Sequence, residues 1–84
     1  MEYYVICRTG KGTLRFVDEF WLDEDGNIMF TTSSSFNWAH SFDNYDHAYK
    51  IARAIYHKYD EDGYCVYDIT VRSSDFITEN NLHY

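Results

Sequence analysis

The tetrapeptide DEDG stands twice in the 84 residues, at 23–26 and at 60–63. Carboxylates at that density could hold divalent ions, act as acids and bases, or present charge to a partner. A calcium-binding EF-hand loop needs oxygen ligands at its positions 1, 3 and 5, Gly at 6 and Glu at 12. With Gly26 at position 6, Trp21 falls at position 1 and Thr32 at position 12; with Gly63 there, Lys58 and Ile69 take those places. Neither copy supplies the ligand set. A two-ion nuclease centre needs carboxylates converging from rigid elements, whereas both copies read as turns. His40, His47, His57 and His83 share no ligand spacing, and Cys7 and Cys65 form no C-x-x-C pair. No phosphate-binding glycine loop, dinucleotide fingerprint or nucleophile elbow is present in the sequence. We expect no catalytic residue, no metal site and no cofactor.

What remains is acid beside aromatic. Asp18, Glu19, Asp23, Glu24 and Asp25 surround Phe20, Trp21 and Leu22, and Asp60, Glu61, Asp62 and Asp68 stand among Tyr59, Tyr64 and Tyr67. Rings rimmed by carboxylates suit a basic partner, through cation–π contacts with Arg and charge-assisted pairs at the edge. The competing reading is that the rings are core and the acids are solvated turns. The candidate partner-binding residues are Asp18, Glu19, Trp21, Asp23, Glu24, Asp25, Asp60, Glu61 and Asp62.

Fourteen carboxylates against seven Lys and Arg give a net charge of −7. Such a surface repels phosphate backbones, so no direct nucleic-acid binding is expected, while basic surfaces are attracted. The start of the chain has neither a basic leader nor a long apolar run, so neither secretion nor membrane insertion is expected. Two thiols in that setting suit a reducing cytoplasm, where both would be small buried hydrophobes.

The elements that must position these residues follow from periodicity. Residues 2–9 are apolar at both parities, as in a central strand. Residues 13–22 alternate Leu14, Phe16 and Phe20 against Thr13, Arg15 and Glu19, a strand with one face on the core. The D-G of the first DEDG, followed by a strand over 27–32, predicts a hairpin with a type I′ turn. Residues 33–42 are the least regular stretch, a short strand or a loop over the helix. Ser41 or Asp43 can cap a helix over 44–59, whose Ala48, Ile51, Ala52, Ile55 and Tyr59 form one apolar stripe. The second DEDG ends that helix, with Gly63 reversing the chain into a last strand over 64–71.

The expected fold is α+β, in β-β-β-α-β order, with an antiparallel sheet of three to four strands, one helix on one face, and the first strand central beside the last. It occupies residues 1–72 as a single domain, and 73–84 form a polar, loosely ordered tail.

In size, acidity, aromatic richness and layout, the chain resembles the small acidic inhibitor proteins of phages and mobile elements, the anti-CRISPR proteins in particular. The resemblance covers the whole chain and carries no diagnostic motif. It implies a non-enzymatic inhibitor in the host cytoplasm, whose acidic, aromatic-rich surface acts as a DNA mimic. That surface would block the basic nucleic-acid-binding site of a CRISPR effector complex. The alternative is an assembly module, a homodimer formed through a sheet edge or an aromatic face.

Overall fold

The first strand, β1 (Tyr3–Thr9), is buried at both parities because the chain covers it from both sides. It pairs antiparallel with β2 (Thr13–Leu22) on one flank and with β4 (Val66–Ser73) on the other, and β3 (Ile28–Ser33) pairs outside β2. The computed structural model describes residues 1–82, and His83 and Tyr84 lie outside it. The four-stranded antiparallel sheet has the order β3-β2-β1-β4, and the helix α1 (Tyr45–Ala54) packs on one face. The α+β class and the central first strand are as expected.

Under α1, Val5, Cys7, Val17, Phe30, Phe42, Ala48, Ala52, Ile55 and Val66 form the main core. Each large side chain buried there contributes about 1.5–3 kcal/mol. The opposite face is also covered, which the one-helix reading did not foresee. A single 3₁₀ turn (Phe36–Trp38) and a short helix α2 (Ser74–Glu79) close a second cluster of Tyr4, Ile6, Phe16 and Ile77, with Phe36 and Phe76 beside it. The tail expectation is therefore corrected: residues 74–79 are helical and Ile77 is 1% exposed. Ser73 caps this helix, its hydroxyl accepting from the Phe76 N–H at 3.3 Å. A helix of six residues is too short to display a readable period.

Two further boundaries shift. Asn44, not Ser41 or Asp43, caps α1 through the His47 N–H at 2.8 Å. The helix ends at Ala54, well before the second DEDG, because tertiary backbone bonds claim the next residues. The His57 N–H donates to Val66 C=O and the Val66 N–H to Lys58 C=O. His57 itself turns the chain at φ 60°, and Tyr59, expected in the apolar stripe, is exposed.

In β2 the alternation breaks. The register with β3 slips between Val17 and Glu19, so Asp18 is an extra residue. A bulge of this kind moves every following side chain to the other face. Phe16 consequently packs under α2, while Phe20 packs under α1, although the sequence pattern places both on one face.

Candidate functional site

The first DEDG closes the β2–β3 hairpin, as expected, but not as a type I′ turn. Only Gly26 has positive φ, at 82°, and the Gly26 N–H donates to Asp23 C=O at 3.1 Å. Asp23 organises the loop. Its Oδ1 accepts from the backbone N–H of Asn27 at 2.8 Å and of Asp25 at 2.9 Å. These bonds, the one from Asn27 foremost, hold its carboxyl below the usual carboxylate range. With Asp23 so engaged, Glu24 and Asp25 project to solvent. Asp18, at the bulge, accepts from the Thr31 hydroxyl. Two residues apart after the bulge, Glu19 and Trp21 share the sheet face opposite Phe20, and both are exposed.

The second DEDG does something that its sequence does not announce. Asp60 is 5% exposed, and a carboxylate buried so deeply is costly unless its oxygens are bonded. Here they are. Asp60 Oδ2 accepts from the Thr32 hydroxyl at 2.6 Å, and Oδ1 accepts from the N–H groups of Asp62 and Tyr64 at 3.0 and 2.9 Å. Thr32 Oγ1 in turn accepts from Arg15 Nε at 2.7 Å, and that guanidinium lies 4.3 Å over the Tyr64 ring.

The turn is thereby fastened along the outer edge of β3. The Glu61 N–H donates to Phe30 C=O at 2.9 Å, and Arg15 Nη2 donates to Thr32 C=O at 2.9 Å. Two carbonyls on this edge that a foreign strand could have used, those of Phe30 and Thr32, are thereby already occupied.

Of the nine candidate residues, Glu19, Trp21, Glu24, Asp25, Glu61 and Asp62 are exposed. Asp60 is corrected: it is an internal anchor, not a surface group. Asp18 and Asp23 spend carboxylate oxygens on their own hairpin. Because the hairpin turn and the second DEDG both border β3, the exposed acids of the two turns, Glu24, Asp25, Glu61 and Asp62, flank the same strand.

On the opposite side, beyond β4, lies an open groove of about 580 Å³ lined by Tyr45, Tyr49, Tyr56, Arg53, Arg72 and the edge of β4, with no carboxylate in its lining. Tyr45 and Tyr49 stack with centroids 5.9 Å apart, and Arg53 donates to the Tyr49 hydroxyl at 3.3 Å. Sequence reasoning missed these residues. The signal was available: Tyr45, Tyr49 and Tyr56 at i, i+4 and i+11 lie beside the apolar stripe of α1, on the flank facing β4.

Cys7 is buried, which pushes its thiol up to about 12, while Cys65 is half-buried and donates to His57 C=O. Both are free thiols, and a thiol with Cys7's environment stays protonated and inert. Among the described residues no group of three or more His, Cys, Asp or Glu is arranged to hold a metal ion, and no helix is long and apolar enough to cross a membrane. Compared with protein-family models, with curated proteins and with solved structures, the chain matches none.

Proposed function

We propose that the protein is a non-enzymatic binding protein whose acidic β3 side occupies a basic, nucleic-acid-binding surface, of the kind a CRISPR-type effector complex offers its DNA or guide RNA. The observation that carries this reading is the division of labour inside the two acidic turns. Asp23 and Asp60 hold the loops, so Glu24, Asp25, Glu61 and Asp62 are presented from ordered backbone, with Trp21 exposed nearby as an apolar anchor. Preorganised charge loses less on docking than charge on a mobile tail, and it steers encounter with a basic surface.

The test is competition for DNA on purified effector–guide complexes. The protein is expected to displace target DNA, less effectively as salt rises. The variant E24K/D25K/E61K/D62K should associate roughly tenfold or more slowly at low salt, with an unchanged circular dichroism spectrum because the four side chains are exposed. Displacement by the variant equal to that by the original chain would remove the steering role. No displacement from any complex tested would remove the reading.

A further inference from the structure

The two outer edges of the sheet are not equivalent, and the open one has a definite phase. Tyr3 exchanges both backbone bonds with Phe42, on the side of β1 away from β4. Its neighbour Tyr4 must therefore face β4, since backbone direction alternates along a strand. Tyr4 pairs with Arg72 and Ile6 with Thr70, while Val5 stands opposite Val71. The same alternation points the N–H and C=O of Val71, and of Ile69, outward. Among the described residues neither has a hydrogen-bond partner on that side. Asp68, with φ 48°, is the bulged residue that ends this open stretch.

We propose that this edge pairs with itself: two copies join β4 to β4 antiparallel, with Thr70 on the twofold axis. An antiparallel join must match outward residues to outward residues, which leaves centres at Ile69, Thr70 or Val71. The three differ in charge. Centring on Ile69 sets Arg72 against Val66, and centring on Val71 sets Arg72 against Thr70. Centring on Thr70 alone sets Arg72 of each copy against Asp68 of the other, twice over, and sets Ile69 against Val71 on the α1 face. Asp68, Thr70 and Arg72 border a common recess on the other face, so the two ion pairs form on one side of the joined sheet. On the α1 side, the exposed rings of Tyr45, Tyr49 and Tyr56 flank the axis and are withdrawn from water with their counterparts. The join is isologous and closes at two copies. It leaves both acidic β3 sides free at opposite ends of an eight-stranded sheet.

Sedimentation equilibrium of the full chain across micromolar to millimolar concentration tests this. Twice the chain mass is expected, and a chain that stays monomeric throughout overturns the proposal. Thr70→Lys places two ammonium groups face to face on the axis at an exposed position, and should raise the dimer dissociation constant at least tenfold with an unchanged circular dichroism spectrum. Arg72→Glu and Asp68→Lys should each weaken the dimer by placing like charges together. Mixing those two variants in equal amounts sets the introduced carboxylate against the introduced ammonium at one end of the join. The other end keeps the native pair of Arg72 with Asp68, so a heterodimer should form. A dimer indifferent to Thr70→Lys, or a mixture no tighter than either variant alone, rules out this register.

Discussion

The two edges of the sheet solve the same problem in opposite ways. Outside β3, the second DEDG lays its backbone along the strand, and Asp60, Thr32 and Arg15 lock it there. Outside β4, Val71 and Ile69 keep their outward groups open beside a row of tyrosines and two arginines. A covering turn on one edge and none on the other disfavours strand pairing at β3 relative to β4. The charge beside them differs as well. Both DEDG turns lie at β3, while the groove beside β4 is lined by Arg53 and Arg72 without a carboxylate.

The contrast can be broken most severely at Asp60. Asp60→Ala removes the acceptor of three hydrogen bonds in a buried setting, and is expected to cost about 2–3 kcal/mol in chemical denaturation. It should also free the β3 edge, with faster amide exchange at Glu61 as the local sign. A stability loss below about 0.5 kcal/mol, the range of ordinary surface changes, would mean that the seal is not held by this carboxylate.

A pair of proline variants sharpens the open side. Thr70 donates its N–H inward to β1, so Thr70→Pro deletes a ladder bond. Val71 points its N–H outward, so Val71→Pro leaves the ladder whole. Thr70→Pro is expected to be the more damaging, by about 1–3 kcal/mol; equal costs would contradict the assigned phase of β4, and a greater cost for Val71→Pro would reverse it.

The smallest expected effect is a pH dependence of stability set by His40. His40 packs edge-on against Phe20 and Phe42, with ring centroids 4.9 and 4.5 Å away. Burial, then the neighbouring His47, lowers its pKa, and Asp43 opposes them. A histidine with a depressed folded pKa takes up its proton first in the unfolded chain. Stability should therefore fall as pH drops through about 6.5, and the loss should stop once pH is below the folded value. His40→Phe should flatten that part of a melting-temperature profile measured from about pH 7.5 to about pH 5. A slope identical to that of the original chain would assign it to other groups.

Much of this architecture was legible in the chain itself. The apolar run of 2–9 marks a strand covered on both faces, the D-G at 25–26 marks a hairpin, and the helical spacing from Ala48 to Ile55 marks the helix and its buried side. These are local signals, because strand, turn and helix periods are set by backbone geometry over a few residues. The exposed acids at 24–25 and 61–62 were legible too, as charged side chains in turns.

Other features came only from contacts between distant parts of the chain. Two identical tetrapeptides have different fates: Asp23 bonds to its own loop at the surface, whereas Asp60 is buried because Thr32, far earlier in the chain, comes to lie beside it. The bulge at Asp18 depends on register with β3, and it alone decides that Phe16 and Phe20 point to opposite cores. Which strand edge is sealed depends on where the second turn lands. Local sequence determined the elements and their amphipathic faces. Tertiary structure decided which carboxylates face water and which edge stays open, since burial and long-range hydrogen bonding are properties of the assembled fold.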